Sequence, residues 1–395
     1  MNDRVPPSLQ MMALTDVADR LDPSSPDELA AVRVDRARTE LRHGRPVAIR
    51  ATVDADKIGG ALLVAAVETL SPSRLRAMSK GGAPLRLLLT AERLTAMKWS
   101  DSKAPLTFRV PRGVTIEQLQ LLGAVRAGGG DHTLLGEPQP ATAQMMAALT
   151  LVKRAQLTPA LLVCDLPASS DASLDAEQVL QLSVGDVSHV GPTRASSLRR
   201  ISDAHVPIAA NENCTLVLFR EIEGDAEHVA IIVGSPAMDQ PVSVRLHSSC
   251  LTGDLLGSLR CDCGDQLRRA IDHLAEAGGV LLYLAQEGRG TGLANKLRAY
   301  RLQDDGLDTL QADRYLGFRD DERDFTIAAA MLQGLGIARI NLLTNNPRKI
   351  EALRGAGIEV VDRVPLLAPV NSHNARYVQT KHDFAGHLGV DDDQS

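Results

Sequence analysis

The sequence predicts an α/β protein with mixed sheets, divided into two domains. Three observations carry that reading. A chain of 395 residues is longer than one hydrophobic core usually serves, and 44% hydrophobic with 23% charged residues is ordinary globular composition. Stretches of helical period alternate with apolar runs of strand length. A polar stretch at 191–203 separates two differently patterned halves. The expected division is therefore a leader at 1–31, a first domain at 32–190, a linker at 191–203 and a second domain at 204–395.

Residues 1–31 are rich in Pro, Ser and Asp without a sustained period, which predicts a mobile leader. In the first domain Val34 to Leu41 reads as helix, and Leu85-Arg-Leu-Leu-Leu89 and Ala160-Leu-Leu-Val-Cys164 as buried strands, with a polar loop at 167–173. The second domain opens with strand-like Cys214-Thr-Leu-Val-Leu-Phe219 and His228-Val-Ala-Ile-Ile-Val233.

Two later segments share one plan. Gly279 to Ala285 reads as a buried strand, Gln286-Glu-Gly-Arg-Gly-Thr-Gly292 as a glycine-rich turn and Leu293 to Tyr300 as a helix. Ile340 to Leu343 is again a strand, followed by Thr344-Asn-Asn346 and a helix opened by Pro347, a favoured first position. Such turns point backbone N–H groups at an anion. Glycine turns alone are weak evidence, but Arg348 and Lys349 oppose the helix dipole where they stand, which an anionic ligand explains better than a solvated face.

Cys250, Cys261 and Cys263 offer three thiolates within one short run and no evident fourth ligand. A structural zinc is normally closed by four protein ligands, whereas a catalytic zinc keeps a position for water and lowers that water's pKa to roughly 7. The bland alternative is three small buried hydrophobes. Five cysteines, an odd number, do not make a disulfide framework, and a reducing cytoplasm fits. No apolar run is long enough to cross a bilayer, so no membrane partner is expected. A net charge of −6 and 3% aromatics argue against a nucleic-acid surface.

Leu316-Gly-Phe-Arg-Asp-Asp-Glu-Arg-Asp324 has two readings. Asp320, Asp321 and Glu322 suit the start of the apolar-periodic stretch Phe325 to Leu335 as helix-capping carboxylates. The other reading is functional and gains weight only beside the cysteines and the two turns.

Together these motifs resemble GTP cyclohydrolase II, the zinc enzyme that opens the guanine imidazole ring at the start of riboflavin synthesis. The resemblance runs from Ile201 to Gly389 through Arg245-Leu-His-Ser-Ser-Cys250, Arg260-Cys-Asp-Cys-Gly264, Gln286-Glu-Gly-Arg-Gly290, Asn295-Lys-Leu-Arg-Ala-Tyr300, Leu316 to Asp324, Leu342-Leu-Thr-Asn-Asn-Pro347, Arg363-Val-Pro-Leu366 and Tyr377-Val-Gln-Thr-Lys381. It implies one Zn²⁺ per subunit on Cys250, Cys261 and Cys263. It places Arg245, His247, Ser248, Ser249, Gln266, Glu287, Gly288, Arg289, Thr309, Thr344 and Lys349 around GTP. Asp321 becomes the acid/base, Arg323 the nucleophile toward the α-phosphorus, and Tyr300 a neighbour of the reacting base. It further implies release of formate and pyrophosphate, Mg²⁺ with the triphosphate, and a cytoplasmic homodimer.

One position departs. The family commonly carries His-Ser-Glu-Cys where this chain has His247-Ser-Ser-Cys250, so a carboxylate is missing at Ser249 and altered nucleotide contact is expected. A paralogue acting on another purine or pyrimidine, or a GTP-binding regulator without turnover, are the competing readings; Tyr300, Asp321 and Arg323 together favour the enzyme.

The first domain resembles 3,4-dihydroxy-2-butanone 4-phosphate synthase through Glu40 to Val47, Gly59 to Ala66 and Leu157 to Asp165. Its chemistry is missing. Ala51 to Gly60 keeps only Asp54 and Asp56 of that family's acidic loop, and Gln144-Met-Met146 stands where its His-Thr-Glu motif belongs. Amide and thioether groups replace neither a metal-ligating imidazole nor a general-base carboxylate. The first domain is therefore expected to be an inactive synthase relative kept for folding, dimerisation or regulation, with His132 the remaining candidate for a displaced ligand.

Overall fold

Helix α1 (Pro26–Arg42) opens the described chain and buries Ala30, Ala31, Val34, Ala37 and Leu41 along one face. The expected leader at 1–31 is thus too long at its end. Pro26 starts the helix and Asp27 and Glu28 complement its first turn, so residues that read as loop composition are helix-start signals. The computed structural model describes residues 26–51, 60–99, 101–167, 170–193, 198–221, 226–366, 369–372 and 374. Asp54 and Asp56 and the Tyr377–Lys381 motif lie outside them.

The first sheet comprises β1 (Val47–Arg50), β2 (Ala61–Ala66), β3 (Arg86–Leu89), β4 (Leu106–Arg109), β5 (Pro138–Pro140), β6 (Ala160–Leu166) and β7 (Leu180–Ser183), in the order β5-β4-β3-β6-β2-β1-β7. All neighbours are antiparallel except β1 and β7. Alternate residues of these strands feed two layers. Leu62, Val64, Leu161 and Val163 pack with α1, α5 (Ala143–Arg154) and α7 (Val184–Thr193). Ala65, Leu87, Leu89 and Leu162 pack with α2 (Pro72–Lys80), α3 (Ala91–Ala96) and α4 (Ile116–Leu122). Helix α6 (Asp171–Ala176) takes the end of the expected 167–173 loop.

The second sheet runs β14-β13-β11-β12-β10-β9-β8. Its strands are β8 (Leu198–His205), β9 (Cys214–Glu221), β10 (Glu227–Val233), β11 (Val242–Ser248), β12 (Gly279–Leu284), β13 (Arg339–Leu343) and β14 (Glu359–Val364). Strand β8 occupies 198–203 of the expected linker. It is an edge strand exposed along nearly its whole length, and that solvation is why its sequence reads as polar connection. Helix α8 (Cys263–Ala277) covers one face through Ala270 and Leu274, and α11 (Thr326–Gly334) and α12 (Pro347–Gly355) cover the other.

Strands β11, β12, β13 and β14 are parallel, so their carboxyl ends share one edge. The connections leaving β11, β12 and β13 there are the first cysteine run, the glycine-rich turn and Thr344 to Asn346. Ligands of open α/β sheets bind at such an edge. Helices α9 (Leu293–Asp304) and α10 (Thr309–Tyr315) close its side and also meet the first half. Arg93 donates to the Tyr315 carbonyl at 2.9 Å, Thr90 to the Gly317 carbonyl at 2.9 Å, and Arg298 pairs with Glu68 at 2.8 Å. Gly317 has a φ of +89°, and a Cβ there would stand 2.9 Å from the Thr90 hydroxyl, so glycine permits this close approach.

Candidate active site

The three thiols predicted as ligands converge. The sulfurs of Cys250, Cys261 and Cys263 all lie within 4.8 Å of one another. Cys250 follows the end of β11, and α8 begins at Cys263. Gly253 sits among them, where a Cβ would stand 2.9 Å from Cys261 Sγ and 3.0 Å from Cys250 Sγ, so only glycine lets the turn fold over the sulfurs. A tetrahedral zinc with Zn–S distances of about 2.3 Å needs sulfurs about 3.8 Å apart. Cys250 and Cys261 stand at 3.8 Å, so the cluster fits the ion. Cys164 and Cys214 are buried elsewhere.

The cluster opens on a cleft lined by Ser248, Ser249, Glu287, Arg289, Tyr300 and Arg323, with Gly288 and Thr309 also on its wall. Gly288, Arg289 and Gly290 all take positive φ, of +62°, +58° and +88°. The turn is therefore left-handed through a non-glycine residue, a conformation the surrounding structure must enforce. Glu287 accepts from the Leu251 N–H at 2.7 Å and from Lys296 Nζ at 2.8 Å. Lys296 also reaches Cys250 Sγ at 3.0 Å and Thr252 Oγ1 at 2.9 Å. Burial pulls its pKa down, but Glu287 and Cys250 outweigh that and hold the ammonium charged. Burial pushes the Tyr300 phenol up, against Thr252 and Lys296, so it keeps its proton at neutral pH.

Asp321 and Arg323 form a two-bond fork at 2.8 and 2.7 Å. Burial alone would raise the Asp321 pKa, yet the hydrogen bonds and charge of Arg323 hold it below the usual carboxylate range. The capping reading of this segment fails. Asp320 pairs with Arg314, Asp321 with Arg323 and Glu322 with Arg319 and Lys153, while Asp324 alone serves the helix by accepting from the Thr326 N–H at 2.9 Å.

Arg245, His247, Gln266, Thr344 and Lys349 do not line the cleft, and all but Gln266 are buried. Arg245 donates to the Leu343 carbonyl and to Gln266 Oε1, and Lys349 to the Leu246 carbonyl at 2.7 Å. Thr344 Oγ1 accepts from the Asn346 N–H at 3.0 Å. Burial lowers Arg245 to about 10; Asp262 and Cys263 oppose the shift and Arg323 adds to it. Burial also lowers His247, against its bond to Asp254, so the ring stays neutral near pH 7. Arg323 and Lys349 flank the same Phe325 ring at 5.1 and 5.6 Å. Crowded, desolvated cations of this kind are stabilised by a polyanion.

Asp313 pairs with Arg289 at 3.3 Å, yet burial, with Asp320, Asp321 and Glu322 nearby, pushes it up to about 7 against that arginine. Burial outweighs the long ion pair. A folded-state pKa above the unfolded value, near about 4, makes a contribution that is full below the unfolded pKa and is lost as pH rises through about 7. Asp313→Asn should therefore gain in Tm relative to wild type between pH 4.5 and pH 8, measured by calorimetry. A pH-independent Tm difference would contradict the shift.

Residues 199–365 match the family model described as GTP cyclohydrolase II. Over 377 residues, 92% of this chain and 95% of the relative, the sequence is 43% identical to the GTP cyclohydrolase-2 of Azospirillum brasilense. The chain belongs to the GTP cyclohydrolase II family. A shorter relative, the GTP cyclohydrolase-2 of Proteus mirabilis (strain HI4320), is 53% identical over 192 residues, which cover 48% of this chain and 96% of that one. Among solved structures, RibBX, a two-domain 3,4-dihydroxy-2-butanone 4-phosphate synthase from A. baumannii, aligns over 85% of this chain and all of its own at 17% identity, with a TM-score of 0.33.

In this GTP cyclohydrolase II relative several residues at the site have no role that their motifs or spacing in the sequence assign. Lys296 stands four residues before Tyr300 on α9, a spacing that puts both on one face. Asp254, four after Cys250, holds His247 Nε2 at 3.0 Å, the Cys250 N–H at 2.9 Å and the Tyr283 hydroxyl at 2.9 Å. Asp313 has no motif around it. Among the described residues no helix is long and apolar enough to cross a membrane.

Proposed function

We propose that the protein hydrolyses GTP to 2,5-diamino-6-(5-phosphoribosylamino)pyrimidin-4(3H)-one, with release of formate and pyrophosphate. The observation that carries this reading is one cleft bordered both by three convergent thiols and by Arg323, whose guanidinium is held from behind by Asp321. Cys250, Cys261 and Cys263 would hold zinc, which when bound supplies a Lewis acid that lowers the pKa of a water. Glu287 and Arg289 face the cleft as acceptor and donor for guanine and phosphate, with Ser248, Ser249 and Thr309 on its wall. Tyr300, protonated, offers a hydroxyl beside the thiols for the reacting base.

At the phosphate end Asp321 is the proton acceptor and Arg323 the group it orients. As nucleophile, a guanidinium nitrogen bonds the α-phosphorus while the bond to pyrophosphate breaks and Asp321 takes the N–H proton. As an electrostatic partner, the same guanidinium stabilises charge on the phosphoryl oxygens. Arg245, Thr344, Lys349 and His247, with half-buried Gln266, supply the polar and cationic ground behind it, and Mg²⁺ would accompany the triphosphate. The assembly we expect is a homodimer, which light scattering would measure; Leu255, Leu256 and Leu259, exposed near Cys261, are apolar surface that a partner could cover.

Release of formate from GTP but not from ATP, by metal-loaded protein, tests the substrate. Formate from another purine nucleotide alone would favour the paralogue, and tight GTP binding without turnover a regulator. The first half we read as inactive toward sugar phosphates. Gln144 Nε2 donates to the Ile49 and Gly60 carbonyls at 2.8 and 3.1 Å, a structural use of a position where a synthase needs catalytic groups. Ribulose 5-phosphate should remain unconsumed when its disappearance is followed with Mg²⁺ present; consumption would restore synthase activity to this half.

A further inference from the structure

The half of the chain without a proposed reaction grips the segment that carries Asp321 and Arg323. Lys153 Nζ, in the last turn of α5, lies 2.6 Å from Glu322 Oε1. The two side chains are 21% and 8% exposed, so the pair is largely shielded from water. Glu322 also accepts from the Arg319 N–H at 3.0 Å and from its guanidinium at 3.0 and 2.5 Å. The Glu322 N–H donates to the Arg289 carbonyl at 3.1 Å. Its own carbonyl lies over Gly290, where a Cβ would stand 2.9 Å away, so the glycine-rich turn and this segment are in direct contact. One residue thus joins the turn bearing Arg289, the segment 319–323 and helix α5, and its chain neighbours are Asp321 and Arg323.

The two cations on Glu322 are not equivalent. Arg319 belongs to the same segment and its side chain is 66% exposed, so it moves with the segment and is screened by solvent. Lys153 comes from the other half of the molecule, 169 residues away in sequence, and is anchored in a helix whose buried face packs on the first sheet. Other contacts between the halves do not involve Glu322: Arg93 with the Tyr315 carbonyl, Arg298 with Glu68, and the Tyr315 hydroxyl with the Gly128 carbonyl at 3.2 Å. Removing the Lys153 charge therefore leaves those bonds in place and frees only the segment itself, through the Glu322 ion pair and the longer approach of Nζ to the Phe318 ring at 6.0 Å.

We propose that Lys153 is a positioning residue for the reaction of the other half: through Glu322 it fixes the backbone on which the Asp321–Arg323 fork is aimed. The inference rests on the role given above to that fork. Misplacement of a reacting group by about 1 Å can cost about a hundredfold in rate, so the effect should be seen in kcat rather than in zinc content or KM.

The test compares full-length wild type with Lys153→Met, Lys153→Arg and Tyr315→Phe, reading kcat and KM for GTP, bound metal, and amide hydrogen exchange over 317–324. Lys153→Met should lose about ten- to a hundredfold in kcat with KM and metal unchanged, and its 317–324 amides should exchange faster. Lys153→Arg should recover most of the rate, and Tyr315→Phe, which removes one interface hydroxyl, should behave as wild type. Wild-type kcat in Lys153→Met, or an arginine variant as impaired as the methionine one, overturns the proposal. If wild type releases no formate from GTP, the reading of the site has failed, and hydrogen exchange alone decides whether Lys153 holds the segment: unchanged exchange in Lys153→Met would show that it does not.

Discussion

Cys261→Ser is expected to give a folded protein that retains no stoichiometric zinc and releases formate from GTP at least about a thousandfold more slowly. Cys261 is buried, within 4.8 Å of two other sulfurs, and a serine hydroxyl neither ionises at neutral pH nor matches the length of a Zn–S bond. The sheet should survive the change, because the cysteines sit on connections beyond the strand ends while Val244, Leu246, Leu282 and Leu284 make the core beneath. Metal analysis and formate assay on the same sample separate the two effects. Full zinc with lost activity would move Cys261 from ligand to some other role, and full activity without zinc would remove the metal from the reaction.

Arg323→Ala is expected to lower pyrophosphate release by on the order of a thousandfold while leaving zinc in place. The substitution removes both arms of the fork and leaves Asp321 without the partner that outweighs its burial, so the Asp321 pKa should rise. With the wild-type pKa depressed, the contribution of this carboxylate to stability is present above its unfolded value and lost as pH falls through the folded one. The variant should therefore lose stability relative to wild type at pH 7 and recover part of the difference as pH falls below about 4. A variant with wild-type pyrophosphate release would exclude Arg323 from the phosphate chemistry, either as nucleophile or as stabiliser.

The parts of this site that were legible in the sequence are those compressed into short runs. Three cysteines within fourteen positions and a glycine turn between a strand and a helix are local facts, and the parallel strands then carry them to one edge. The strands and helices of the second half follow their apolar period closely for the same reason. What the sequence did not reveal depends on partners far away in the chain. Lys153 looks like any helix-end lysine, and only the fold brings it to Glu322. Asp313 is an unremarkable helical aspartate until burial and three neighbouring carboxylates change its acidity. Polar composition misled at two boundaries: Pro26 to Ala31 begin a helix, and Leu198 to Asp203 form a strand whose polarity comes from lying at a sheet edge.

The measurement that bears most directly on the proposed reaction is the stoichiometry of formate and pyrophosphate released per GTP consumed by the zinc-loaded, Mg²⁺-supplemented protein. One of each per GTP is expected, with the pyrimidine product appearing in step. Pyrophosphate without formate, formate without pyrophosphate, or neither in the presence of bound zinc and GTP would contradict it.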